Sequence, residues 1–242
     1  PEPPRITSES SLDSKTNING ISFEVNKDDS LVILGGSGVG KSVLIKIMVG
    51  LFLPDSGKVT IDGNTISNLS YDKRCKIILK TGFLFQHNAL FDSLNIFENV
   101  VFVVKKNTAM SDKELRELAM ETLNLVGLHP SILHLYPSDL SGGMQKRAAL
   151  ARTIIYKPKI IFFDEPTTGL DPIMSNVINE LILKVKEEIG ATIITVTHDM
   201  KTTETIADRI IILQEGSIIC EGKSIAEIKN HTQDKYIKDF IT

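Results

Sequence analysis

The chain has 242 residues, 42% hydrophobic and 24% charged, a balance ordinary for one large globular domain or two small ones. Its formal net charge of -3 gives no basic field for nucleic acid, and no apolar run approaches the ~18 residues that a membrane helix needs. Cys75 and Cys220 lie far apart without metal-ligand spacing; they indicate a reducing compartment and read as small buried hydrophobes. With no secretory signal legible either, the reading is a cytosolic protein whose membrane role, if any, comes through a partner.

Pro1 to Asn17 is rich in Ser, Pro and charge and reads as a loosely packed arm. Ile18 to Val25 alternates as a half-buried strand does, and Asp28-Asp29 marks a turn. Leu31 to Leu34 is a fully apolar strand. Gly35, Gly36, Ser37, Gly38, Val39, Gly40, Lys41 and Ser42 follow it, and Val43 to Val49 opens a helix. Strand, glycine loop and helix in that order form a phosphate cradle. Glycines let the backbone curl until several N–H groups point into one hollow, and the helix N-terminus adds about half a positive charge there. Lys41 supplies a full charge for the outer phosphates, and the Ser42 hydroxyl can ligate Mg²⁺.

Pro54-Asp55-Ser56-Gly57 is a turn, and Lys58 to Ile61 a short strand closed by Asp62-Gly63, which suggests a small antiparallel sheet beside the main core. Ile77-Ile78-Leu79 and Gly82 to Phe85 read as continuing the core. From about Asn95 to Arg152 the period is helical; Ser111 and Glu114 fit a capping box, and Gly127 ends that helix. Another helix starts near Ser141. Ile160 to Phe163 and Thr192 to Val196 are buried strands, with an amphipathic helix from Ile173 to Ile189 between them. Gln214 to Ser217 signals a hairpin. Strands alternating with helices predict an α/β fold with a mostly parallel sheet.

Chemistry collects at the ends of these strands. Asp164 and Glu165 follow a buried strand directly, at the sheet edge where ligands of open α/β sheets bind. Asp164 can hold Mg²⁺ through water, and Glu165 can deprotonate an attacking water, a contribution of about 10²–10⁴ in rate. His198 ends the next strand, within reach of a terminal phosphate. Ser141, Gly142 and Gly143 open a helix and make a second anion-accepting N-terminus.

In this order the motifs resemble the nucleotide-binding subunits of ABC transporters, over nearly the whole chain. Gly35 to Ser42 is similar to the Walker A loop, Gln86 to the Q-loop glutamine and Leu140 to Met144 to the signature. Ile160 to Asp164 with Glu165 resembles Walker B with its catalytic base, Gly169-Leu170-Asp171 the D-loop and His198 the switch histidine. The stretch from Gly82 to Val100, with Ser141 to Arg147, resembles more narrowly the Mla-type phospholipid-transport (toluene-tolerance) ATPases.

The resemblance implies a P-loop NTPase (RecA-like) core with a small antiparallel β subdomain and a helical signature subdomain. It implies that residues 1–242 form one nucleotide-binding domain, with the helical part near 95–152 and a tail near 222–242. It implies an ATPase using ATP and Mg²⁺, with Ser42, Gln86 and Asp164 around the metal and Glu165, His198 and Gln86 at the chemistry. Two copies would pair head to tail, each ATP lying between Gly35 to Ser42 of one and Ser141-Gly142-Gly143 of the other. The subunit would sit peripherally on the cytoplasmic face of the inner (cytoplasmic) membrane, docked to a separate permease and open to a small regulatory subunit, while the net charge of -3 speaks against nucleic acid as a partner. Phospholipid is the expected cargo. An importer of amino acids or other small solutes, a soluble non-transport ABC ATPase and a nucleotide-binding module without turnover are the alternatives.

Two stretches stay open. Leu90, Phe91 and Leu94 fit either a core or a groove for the permease. The tail, with apolar residues at Tyr236, Ile237, Phe240 and Ile241, fits a short amphipathic helix on its own domain or on a partner. Residues 1–22 contain no aromatic side chain, although the family usually stacks one on adenine, so weak adenine discrimination or a missing segment is expected.

Overall fold

The computed structural model describes residues 5–10 and 18–241. Along the chain run β1 (Arg5–Ser10), β2 (Ile18–Glu24), β3 (Ser30–Leu34), α1 (Lys41–Met48), β4 (Ser56–Ile61), β5 (Asn64–Thr65) and α2 (Tyr71–Ile78). Then come β6 (Thr81–Leu84), α3 (Ile96–Asn107), α4 (Asp112–Leu125), α5 (Gly142–Ile154), β7 (Ile160–Asp164) and α6 (Pro172–Ile189). The last elements are β8 (Thr192–Thr197), α7 (Met200–Ile206), β9 (Arg209–Gln214), β10 (Ser217–Gly222), α8 (Ile225–His231) and α9 (Lys235–Phe240). They fall into two compact units, Pro1–Thr81 with Thr192–Thr242, and Gly82–Ala191.

The first unit carries two sheets. In the smaller, β2, β1, β4 and β5 lie side by side in antiparallel pairs. The expected antiparallel sheet is therefore present, but its second member is Arg5–Ser10, which the sequence reads as part of a loose arm. That segment has one apolar residue, Ile6, and owes its strand to main-chain pairing with β2 and β4 on either side. In the larger sheet β10, β9, β3 and β8 are consecutive, with β3 parallel to both β8 and β9 and β10 antiparallel to β9. All five residues of β3 are buried, as a central parallel strand covered on both faces requires. Leu44, Ile45, Ile47 and Met48 of α1 are sealed in the same core.

Two hairpin turns fit their residues. Asp62 and Gly63 (φ 47° and 74°) and Glu215 and Gly216 (φ 46° and 74°) place consecutive residues at positive φ, the pattern that twists correctly into a tight hairpin. Ile77, Ile78 and Leu79 depart from expectation. They do not extend the core: α2 has no buried residue, and Leu79 is 45% exposed. Three apolar residues in a row are compatible with either state, and the surrounding Tyr71, Asp72, Lys73, Arg74 and Lys76 favour the surface. The cysteines, expected buried, are free thiols only half covered. At the tail, Ile237 and Ile241 pack with Leu34, Ile210, Ile212, Ile225 and Ile228, so α9 folds onto its own unit.

The second unit pairs β6 with β7, where Phe83 and Phe162 stack at 6.3 Å. Around them α3, α4 and α5 pack against one another. The predicted capping box is present: the Glu114 amide donates to Ser111 Oγ and the Ser111 amide to the Glu114 carboxylate at 2.7 Å. Asn95 and Glu98 cap α3 in the same way. Gly190, in the left-handed region, closes α6.

The chain leaves β3 at Gly35, whose N–H donates to the Thr197 carbonyl at 3.2 Å. A Cβ at this position would stand 2.5 Å from the Leu213 carbonyl oxygen, a backbone atom that cannot swing aside. Gly35→Ala should therefore lose about 1–3 kcal/mol, the usual range for overpacking. Gly142→Ala, where nothing lies within 4 Å of the added carbon, should stay within about 0.5 kcal/mol of the parent. Denaturant unfolding midpoints of the two variants check the pair; equal midpoints would refute the close approach.

Candidate functional site

Each unit carries some of the candidate residues. In the first, β3 and β8 run parallel in a register that sets Leu34 opposite Thr197. Gly35 and His198 therefore leave the sheet at the same level. The phosphate loop is fixed from behind: the Gly216 amide, in the β9–β10 turn, donates to the Val39 carbonyl at 3.2 Å. Gly40, at φ 105°, sits at the N-cap of α1 without a side-chain cap, leaving the first amides to the loop's hollow. Lys41 is buried, and its ammonium donates to the Gly35 and Gly36 carbonyls at 2.8 and 2.9 Å. Those bonds hold a full positive charge over the loop. His198 is exposed between buried Thr197 and Asp199, which caps α7 through the Thr202 amide. A strand end and a helix cap thus fix its backbone from both sides.

In the second unit, Asp164 ends β7 at 4% exposure and Glu165 follows at 6%. Glu165 has φ 51°. A non-glycine residue in that region carries about 1–3 kcal/mol of strain, which persists only where the surroundings impose it. Thr168 Oγ1 donates to the Glu165 carboxylate at 3.2 Å and helps to aim it. Next in the chain, Asp171 accepts from the Ile173 and Met174 amides and starts α6.

Ser141 caps α5 by accepting from the Met144 amide, and Ser141 and Gly142 are exposed. Gly143 is buried because Met174 presses on it; a Cβ there would meet the Met174 methyl at 2.5 Å. Gln145 donates to the Pro137 carbonyl at 2.8 Å and steadies the approach to the helix. Gln86 follows β6, with its carbonyl accepting from Lys146 at 2.8 Å. The loop beyond is organised by buried Asn99, which donates to the Phe91, Leu94 and Asn95 carbonyls and accepts from the Phe91 amide. Of the apolar residues in that loop, Phe91 is 44% exposed while leaning on Phe102. Leu90 and Leu94 are half-buried.

One unit thus carries a glycine loop and a strand-end histidine, the other a paired Asp-Glu and a serine-led helix tip, and likeness to known proteins shows the family. The family model described as ABC transporter matches residues 18–168. The chain belongs to the ABC transporter family. It is an ATP-binding subunit of an ABC transporter, and its activity is that of an ABC ATPase. The ABC ATPase is 39% identical to the Arabidopsis thaliana protein trigalactosyldiacylglycerol 3, chloroplastic, over 88% of this chain and 66% of that protein. It is 37% identical to the intermembrane phospholipid transport system ATP-binding protein MlaF of Haemophilus influenzae, over 92% and 83% of the two chains. A methionine import ATP-binding protein, MetN of Carboxydothermus hydrogenoformans, also matches at 37%, with 85% and 60% covered. The chain thus spans just under two thirds of the plant relative and three fifths of the importer ATPase. Among solved structures, the dimeric post-hydrolysis state of the ATP-binding cassette MJ0796, bound to ADP and Pi, superposes with a TM-score of 0.82. That cassette is 32% identical, and the match covers 91% of this chain and 97% of the other.

The adenine question has a partial answer in this ABC ATPase. Ile18 and Phe23 are both buried, so neither is offered to a base, while the side chains of residues 1–17 lie outside the described residues. Sequence reasoning gave no role to Lys146, Arg152, Asn99 or Gln145. Each acts through a main-chain carbonyl, which leaves no mark on the partner's identity; the one legible signal is an uninterrupted Gln-Lys-Arg beside the Ser141 tip.

Burial pushes the Lys146 ammonium down from 10.5 to about 8, against the opposing pull of the Asp164 carboxylate. Below about pH 8 the group is charged in folded and unfolded chains alike, and the cost of burying it is carried in full. Between about 8 and 10.5 the unfolded chain holds the extra proton, so this group's contribution to stability rises with pH. The stability of the parent relative to Lys146→Met should climb across that window in denaturant titrations at pH 7, 8, 9 and 10. A flat difference would mean that burial does not perturb Lys146.

Proposed function

We propose that the 242-residue chain is a single nucleotide-binding domain that works as one of two identical ATPase subunits beneath a membrane permease, moving phospholipid. One observation carries the paired arrangement: the anion-accepting tip Ser141–Gly142 is exposed on a chain that has its own phosphate loop. Two such copies, head to tail, bring a loop and a tip to each triphosphate. The dimeric state of the MJ0796 cassette supports this reading.

In this reading the loop amides and Lys41 bind the phosphates of ATP. Ser42, Gln86 and Asp164 offer a hydroxyl, an amide oxygen and a carboxylate, the hard oxygen donors that Mg²⁺ prefers, so these residues would hold it. When bound, the ion supplies charge against the phosphates. Glu165, held in its strained conformation, takes the proton of the attacking water. His198 meets the γ-phosphate from the sheet edge. The Ser141 tip of the second copy closes over the same triphosphate, so the pair tightens only when ATP is present. Among the described residues no helix is long and apolar enough to cross a membrane, and the subunit is read as peripheral, on the cytoplasmic face of the inner membrane. The name of the Haemophilus relative supports phospholipid as cargo; the methionine importer supports a solute instead.

Glu165→Gln should still bind ATP, form a stable dimer by light scattering and release phosphate slower by about 10²-fold or more. Near-parental turnover would remove Glu165 from the role, and a variant monomeric at saturating ATP would remove the dimer. Lys41→Ala should lose ATP affinity itself in calorimetric titration; unchanged affinity would contradict the cradle. Cargo is decided by isolating the subunit with its permease and reconstituting the pair in vesicles. ATP-dependent movement of labelled phospholipid is the expected result, and uptake of an amino acid without lipid movement would replace it with the importer reading.

A further inference from the structure

Helix α5 does more than present a serine-led tip. Three of its side chains reach back to main-chain carbonyls in and after β6. Lys146 Nζ donates to the Gln86 carbonyl at 2.8 Å. Arg152 places one guanidinium nitrogen on the Ala89 carbonyl at 2.7 Å and the other on the Asn88 carbonyl at 2.8 Å. Thr153 makes a longer bond, 3.3 Å, to the Phe83 carbonyl. The segment they hold is unusual: Asn88 and Ala89, neither of them glycine, both have positive φ, at 62° and 51°. Two consecutive strained residues need an outside clamp, and the planar fork of Arg152 is bonded to both carbonyls. Lys146, at 2% exposure, is an expensive residue to place inside a protein; the Asp164 carboxylate offsets part of that cost, and the Gln86 carbonyl takes its hydrogen bond.

We propose that Lys146 is a positioning residue for Gln86, and that Lys146 and Arg152 together lock the loop after β6 to α5, so that Gln86 and the Ser141 tip travel as one body. This rests on the reading above in which Gln86 and Ser141 meet the nucleotide. Fixing the Gln86 peptide fixes the direction in which its side chain departs. Because α5 is a continuous 13-residue helix, a push on the loop is delivered to its tip, and a pull on the tip is felt at Gln86.

The test uses the full chain as Lys146→Met and Lys146→Arg, with thermal unfolding alongside. Methionine fills the space without a charge, so the fold should survive. Lys146→Met should lower kcat by about ten- to a hundredfold while ATP affinity changes by less than about threefold, the pattern of a misplaced group rather than a lost binding contact. It should also raise the Mg²⁺ concentration needed for half-maximal turnover. Amides from Gln86 to Leu90 should exchange hydrogen faster by about tenfold, with the rest of the unit unchanged. Lys146→Arg, which can still donate to the carbonyl, should restore both. Parental kcat in Lys146→Met, or loop exchange equal to the parent's, overturns the proposal. Should that variant fail to fold, Arg152→Lys loses the two-pronged bond and must speed exchange at Asn88 and Ala89; unchanged exchange there overturns it as well. If the parent itself releases no phosphate, the ATPase reading fails, whereas the exchange measurement still reads the lock.

Discussion

The nucleotide site begins with a close approach between two pieces of backbone. Where β3 ends, the Leu213 carbonyl of β9 stands so near Gly35 that no side chain fits there. Around that contact three strands and a hairpin turn converge on one short loop. Thr197 of β8 accepts the Gly35 amide, and Gly216 of the β9–β10 turn reaches the Val39 carbonyl. The loop is thus tied to the sheet at both ends before any ligand arrives. A hollow of amides that must open a set distance apart cannot be left to a free loop, since ordering it on binding would subtract from affinity. The same packing sets Lys41 over the Gly35 and Gly36 carbonyls and brings His198 out at the level of Gly35.

The second unit reaches rigidity by another route, through strain and buried charge. Glu165 is in the left-handed region without being glycine, and so are Asn88 and Ala89. Lys146 is enclosed, and the Arg152 guanidinium sits over the Phe91 ring with its nitrogens on backbone oxygens. None of these is the cheapest way to fill space. Each costs stability that the apolar faces of α3, α4 and α5 supply, through Val100, Val101, Leu115, Leu123, Ala148, Ala149 and Leu150. Such local conflicts mark places where geometry matters more than stability.

What could be read from the chain beforehand follows the same division. The apolar strands, the Ser111–Glu114 box and the glycine loop are local patterns, and local patterns survive in sequence. The strand-end positions of Asp164, Glu165 and His198 were legible because Ile160–Phe163 and the β-branched Thr192–Thr197 read as buried strands. Arg5–Ser10 was illegible because its strand is imposed by neighbours on both sides. Ile77-Ile78-Leu79 misled because burial depends on what covers a helix, not on three residues. Lys146 and Arg152 were invisible in their roles because a basic residue on a helix ordinarily faces water. What separates these two is a carbonyl about sixty residues away, an atom that every residue type carries.

In the proposed dimer, the tip of α5 shows why a divided site suits a switch. Gly143 is pressed against Met174, so the start of the helix cannot relax toward its own chain, while Ser141 and Gly142 project outward. Gln145 braces the approach from Pro137. A helix N-terminus carries only about half a unit of positive charge, and that effect fades within a turn. One such tip facing water binds an anion weakly. Set across a triphosphate from a second amide-lined hollow, it adds to a field already concentrated there, in a space from which water is excluded. In the proposed dimer the gain on closure comes from the nucleotide more than from protein touching protein. Loss of the terminal phosphate then removes charge from the gap between two stiff surfaces that have little else to hold them, and neither surface needs to change shape for the pair to part.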